Sequence, residues 1–359
     1  MKLVSLTLTH DVGEKIREAI ESVASHVDEC IVIHTCPEHS IGSCSTMRIA
    51  EIACSAGGAD FRSIEFTWEN DFSKARNFAL DEAARQKADW AVMIDSDQRI
   101  DWNGHFPKDG VHHHPAKNGV SPACWKMRYR GESFAKEQIF KIPSERRYSG
   151  VTHEAYPAAD CPEWPSSRVW EAAKTPAEMA GKLQRDTTLL LKTLEQEPQN
   201  ARAWYYLGQS HQSAGHWEAA RAAYLKCRTH TAWDEEGGWA AYQGAVCALE
   251  DDDVEAALDI ALGGMKTHAG MPELPWLAGY CEHKLGHYQQ ALRWARLATA
   301  HAETLAFEKR VGFSYPFACW EGPFNLMEHA YRALGDLTMA KWAADQASVR
   351  RAHRLGGAT

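Results

Sequence analysis

The feature that most constrains this fold is a change of period near residue 170. Before it, short apolar runs alternate with helical stretches; after it, apolar residues recur only at helical spacing, in units of roughly 35 residues. In the first half, Leu3–Thr9, 29–35, 61–66 and 90–94 read as strands, and 14–26, 45–56 and 72–86 as helices. Strands separated by single helices predict βαβ crossovers, hence a mostly parallel, doubly wound sheet with ligands at the carboxyl ends of its strands. The pattern loosens after Gly104 and recovers as strands near 123–129 and 138–142. A proline-rich passage at 157–165 follows, which reads as a domain boundary because neither a helix nor a central strand tolerates that proline density. The chain of 359 residues is long enough for two cores, and the expected domains are 1–170 and 171–359.

The second half carries Trp204, Leu207, Gly208, Ala220, Tyr224 and Cys227, with Gly215 and His216 at a turn. An offset of 36 finds Gly244 and Ala256, and an offset of 71 finds Gly279, Gly286, Ala291 and Ala298. Small residues at such points let antiparallel helices approach closely while the large ones fill the groove between neighbours. This half resembles the tetratricopeptide repeat (TPR), with Gly335 and Ala340 marking a decayed last unit. Such stacks hold partners or extend another domain, so a peptide or protein in the groove is an expected partner.

Composition narrows the setting. Hydrophobic residues make up 45% and charged residues 24%, the balance of a globular protein. No apolar run reaches bilayer length, and the start of the chain lacks a signal-peptide pattern. The 10 cysteines are scattered without a CxxC pair, which predicts reduced, mostly buried thiols and a cytoplasmic setting. A net charge of −9 argues against long-range attraction to nucleic acid or anionic membrane.

The sharpest chemical feature is Asp95, Ser96, Asp97 at the end of the apolar run Trp90 to Ile94. On an extended strand, residues i and i+2 point to one side, so two carboxylates could share a hard divalent cation, Mn²⁺ or Mg²⁺. The spacing alone is not decisive, because Asp251 and Asp253 repeat it in what reads as a solvated turn between helices. On the bland reading the pair simply caps a turn.

The residues Asn70, Asp71, Phe72, Ser73, Ala75, Arg76, Asn77, Phe78, Ala79 and Leu80, followed by Asp89, Trp90, Asp95 and Asp97, resemble the signature of family-two glycosyltransferases with a GT-A, Rossmann-like fold. The segment GVTHE at 150–154 resembles a further motif of that family. The resemblance implies a nucleotide-sugar donor and an acceptor left open as protein, glycan or nucleic acid. It implies Asp95, Asp97 and His153 as metal ligands, Glu154 as general base in an inverting transfer, and Thr9, His34, Arg76, Asp95 and Ser96 around the donor. The catalytic residues would then be Glu154 and Asp97, the cation acting as Lewis acid toward the departing diphosphate. The chain departs from the family where an acidic residue usually ends the second strand, since His34 stands there, and the opening motif is replaced by Leu8, Thr9, His10 and Asp11.

Smaller features stay open. His112, His113 and His114 read as a surface tract rather than a metal cluster. Lys126, Arg128 and Arg130 share a strand face that suits either an anion or plain solvation. Two rival functions accompany the enzyme reading: a non-catalytic TPR interaction scaffold with a degenerate glycosyltransferase domain, and a glycosyltransferase acting on nucleic acid.

Overall fold

The computed structural model describes residues 1–10, 12–35, 45–104, 122–130, 135–158, 160–304 and 313–356, apart from the side chains of 165 and 166. Asp11 and His112 to His114 lie outside the described residues. The chain divides into two compact units, Met1–Pro176 and Ala177–Thr359.

In the first unit, β1 (Leu3–Thr9), β2 (Glu29–His34), β3 (Asp60–Glu65) and β4 (Trp90–Met93) are joined by α1 (Lys15–Ala24), α2 (Ser45–Gly57) and α3 (Phe72–Arg85). They pair in parallel in the order β3-β2-β1-β4. Strands β2 and β4 are buried along their whole length, which is why their sequences read as continuous apolar runs and not as alternation. Successive residues nonetheless serve opposite layers. Trp90, Val92 and Ile94 pack with α1 and α2, while Ala91 and Met93 pack with α3 and with Phe140, Tyr148 and Tyr156.

Beyond β4 the sheet departs from the expected mostly parallel form. β5 (Gln98–Asp101), β6 (Cys124–Tyr129), β7 (Ala135–Lys141) and β8 (Glu163–Glu171) complete eight strands in the order β3-β2-β1-β4-β7-β6-β8-β5. The pairs β4–β7, β6–β7 and β5–β8 are antiparallel, whereas β6–β8 is parallel, so the sheet is mixed. The proline-rich passage does not end the unit: β8 lies between β6 and β5 and contains Pro165. Its pairing explains how. Register with β6 jumps from Lys126–Glu163 to Arg128–Arg168, and pairing with β5 begins only at Arg168. Pro165 therefore falls in a bulge where neither neighbour needs its missing N–H.

The second unit is a run of helices: α4 (Pro176–Gln196), α5 (Ala201–Ser213), α6 (Trp217–His230), α7 (Asp234–Glu250), α8 (Val254–Thr267), α9 (Glu273–Lys284), α10 (Tyr288–Thr304), the single turn α11 (Pro316–Cys319), α12 (Gly322–Ala333) and α13 (Leu337–Gly356). Helices α5/α6, α7/α8, α9/α10 and α12/α13 form successive antiparallel hairpins, each packed on the next. The expected small residues mark close approaches. A Cβ on Gly208 would lie 2.8 Å from the ring of Tyr224, and one on Gly279 would lie 2.8 Å from Leu326. Gly215 and Gly286 turn the chain with φ of 74° and 81°. Asp252, with φ of 56°, takes that left-handed position in the second hairpin, and its neighbour Asp253 caps α8 by accepting from the Ala256 N–H at 3.0 Å. The Asp251–Asp253 pair is thus a turn and a helix cap. Among the described residues, no helix is long and apolar enough to cross a membrane.

Candidate functional site

Two places draw chemistry together, one in each unit. In the α/β unit, Asp71 caps α3 by accepting from the Lys74 N–H at 3.0 Å, and the Phe72 N–H donates to the Val151 carbonyl at 2.9 Å. These contacts bring the start of α3 against the loop that carries His153 and Glu154. Arg76, one turn into the helix, then reaches both Asp95 and Glu154. Its Nη2 donates to Asp95 Oδ2 at 3.0 Å, and its Nε donates to Glu154 Oε1. The guanidinium lies 5.6 Å from the Tyr148 ring centroid. Burial disfavours the Arg76 charge, but the Asp95 and Glu154 carboxylates outweigh it and hold its pKa well above the usual arginine value. Gln98 Nε2 donates both to Asp95 Oδ2 at 3.2 Å and to the Tyr129 hydroxyl at 3.1 Å.

Asp97 belongs to a different contact. Lys174 Nζ donates to Asp97 Oδ2 at 2.9 Å and to Glu171 Oε1 at 2.5 Å. Burial opposes the Lys174 charge; the two carboxylates reverse that and raise its pKa. Asp95 and Asp97 thus take different cations, and the local backbone differs from the expected strand end. β4 ends at Met93, and the Gln98 N–H closes a turn onto the Asp95 carbonyl at 2.9 Å. Side chains in a turn do not follow the two-residue alternation of a strand. Arg76 takes one carboxylate and Lys174 the other.

The remaining predicted residues are placed as follows. Thr9 and His34 are register partners at the carboxyl ends of β1 and β2, both enclosed, with His34 only 1% exposed. Ser96 is buried in the turn after β4. His153 sits in the left-handed region with φ of 50°, beside Glu154. Among the described residues, no group of three or more His, Cys, Asp or Glu side chains gathers to hold a metal ion. The basic face of β6 is likewise engaged: Arg128 pairs with Glu163 at 2.8 Å, and the Arg130 guanidinium lies 3.5 Å from the Trp170 ring centroid.

The helical unit presents the second place. The first helices of neighbouring hairpins touch one another, α7 with α9 and α9 with α12, so they line the inner face of the stack. That face is aromatic. Trp239 stacks on Tyr242 at 4.9 Å along α7, and Trp276 stacks on Tyr280 at 6.1 Å along α9. Trp233, before α7, is 42% exposed and Tyr280 37%. Large aromatics left partly in water beside fully buried alanines such as Ala240, Ala241, Ala245 and Ala248 are the kind of surface that interaction sites present. The sequence signal was present in the spacing Trp239–Tyr242 and Trp276–Tyr280, three and four residues apart on a helix.

No protein-family model matches the chain, and no curated protein matches it either. Among solved structures, it is similar to MamA at 13% identity, covering 51% of this chain and 99% of that one with a TM-score of 0.41. YrrB, described as a TPR protein with an unusual peptide-binding site, matches at 16% identity over 47% of this chain and 77% of its own, TM-score 0.36. The Cut9–Hcn1 hetero-tetramer of APC/C matches at 16% identity over 47% of this chain and 30% of its own, TM-score 0.37. The resemblance to family-two glycosyltransferases is corrected here, because the family comparison returns no match. The enzyme expectation falls with it. So does the DXD reading of Asp95 and Asp97 with manganese, because those carboxylates are claimed by Arg76 and Lys174.

Proposed function

We propose that this chain is a non-catalytic, TPR-like interaction scaffold whose helical unit binds a peptide or protein partner on its inner face. The observation that carries the reading is the aromatic surface formed by exposed Trp233 and Tyr280 with half-buried Trp276 on stacked helical hairpins. Aromatic side chains supply much of the binding energy at protein interfaces because each buries a large area at small entropic cost. The α/β unit supports this reading by what it has closed: the carboxylates that catalysis would need are already neutralised by protein cations. All eight described cysteines are buried thiols, which supports a reducing, cytosolic setting.

A peptide array followed by calorimetry on the strongest hit tests the reading. Tyr280→Ala is expected to weaken binding at least tenfold, about 1.4 kcal/mol, while Asp97→Asn leaves it unchanged. Hits that bind Tyr280→Ala and Trp276→Ala as tightly as the parent chain would place the partner elsewhere and sink the proposal.

A further inference from the structure

The inner face is not bare. Residues 313–317, Phe-Ser-Tyr-Pro-Phe, lie across the first helices of three successive hairpins. The Phe313 ring is 5.3 Å from Tyr205 on α5, 5.3 Å from Trp233 and 6.3 Å from Trp239 on α7. Tyr315 is 6.3 Å from Tyr242 on α7 and 5.6 Å from Trp276 on α9, and Phe317 is 5.8 Å from Trp276. The backbone is held as well. Tyr315 is extended, with φ of −115° and ψ of 93°, and its N–H donates at 3.2 Å to Oε1 of Glu273, a carboxylate that is 0% exposed.

Aromatic side chains at alternate positions, a backbone extended at Tyr315 before it turns into α11, and one main-chain N–H given to a buried acceptor: these are features by which a groove holds a bound peptide. The segment does not complete the burial, since Tyr315 remains 40% exposed. Resting on the scaffold reading above, we propose that residues 313–317 are an internal stand-in for the partner. The partner is a peptide with aromatic side chains at every second position, extended up to its central aromatic residue, and it docks by taking this segment's place. An attached segment competes at high effective concentration, so the intact chain admits only peptides that outdo it. The groove therefore selects register and aromatic content together.

The test is fluorescence anisotropy with a labelled hexapeptide of sequence FSYPFA, copied from residues 313–318. The full chain should show no saturable binding, whereas the combined variant Phe313→Ala, Tyr315→Ala, Phe317→Ala should bind at least tenfold more tightly. Adding Trp276→Ala should remove that gain, and a peptide with the three aromatics placed consecutively should not bind. Should the combined variant fail to fold by circular dichroism, the single Tyr315→Lys change, at an exposed position, should still give a measurable gain. Equal binding by parent and folded variant, or none by either variant, overturns the proposal. Dimerisation of the combined variant relieved by the peptide supports it; a parent chain that dimerises by exchanging this segment would make a second copy the occupant and overturn it. Array hits that need Tyr280 but lack alternating aromatics would overturn this inference and leave the scaffold reading standing.

Discussion

The two candidate places handle their functional-looking groups in opposite ways. Around Arg76, every charged side chain has been given a partner from the same unit: Asp95 and Glu154 meet the guanidinium, and Asp97 and Glu171 meet Lys174. On the inner face of the helical stack, aromatic groups of comparable size to a bound ligand's are left partly in water, and the chain supplies only a provisional cover. A half-buried charge must be matched within the fold or destabilise it, whereas an aromatic ring can wait for an outside partner at modest cost. Polar residues at a strand end are thus a poorer guide to binding here than apolar residues on a helix face.

The largest expected effect breaks the closed side of that contrast. Arg76→Ala leaves Asp95 and Glu154 facing each other without their cation, in a place where Arg76 is 16% exposed. The cost should be about 3 kcal/mol, read as a fall in the thermal midpoint of roughly 6 °C or more. An unchanged midpoint would mean that the network does not hold this region together.

Next in size is a test of packing on the other side. Gly208→Val places methyl groups where a single Cβ already meets the Tyr224 ring at 2.8 Å, and should cost about 2 kcal/mol. Urea titration checks it, and full stability would show that α5 and α6 tolerate wider separation than their small residues suggest.

The smallest effect sharpens the comparison by finding a charge lock inside the helical unit. Glu321 is 1% exposed; burial pushes its pKa up, but Arg354, reaching it at 2.9 Å, wins and holds it below the ordinary 4.5. Its contribution is complete above pH 4.5 and is lost as pH falls through the lowered folded value. Arg354→Gln should flatten the acid side of the stability profile by about 1 kcal/mol.

Much of the fold could be read in the sequence where local chemistry decides it. The four parallel strands and three helices of the first half fall within a few residues of the expected positions, because buried strands and capped helices carry their own patterns. Strand β8 was hidden by Pro165, since a bulge that excuses a proline exists only once two neighbouring strands are in place. The Asp95–Asp97 reading assumed that strand alternation continued past Met93 as far as Asp97, whereas β4 ends at Met93. In the helical half, Gly208 and Gly279 signalled close approach correctly, while Asp252 shows that a turn position can be filled by a residue that breaks the repeat pattern. The occupied inner face could not be read at all, because contacts such as that between Phe313 and Tyr205 join residues far apart in the sequence and leave no periodic trace.

Strand β3 forms one edge of the eight-stranded sheet with only six residues, and no described strand pairs with its outer side. Asp60, Arg62 and Glu65 punctuate it, and Arg62 is drawn to Glu29 at 2.5 Å. A second molecule attempting to zip onto this border would have to strip water from three charges and unseat that ion pair. If the proposed scaffold is concentrated in an assembly, such a border would oppose polymerisation through the β3 edge of the sheet.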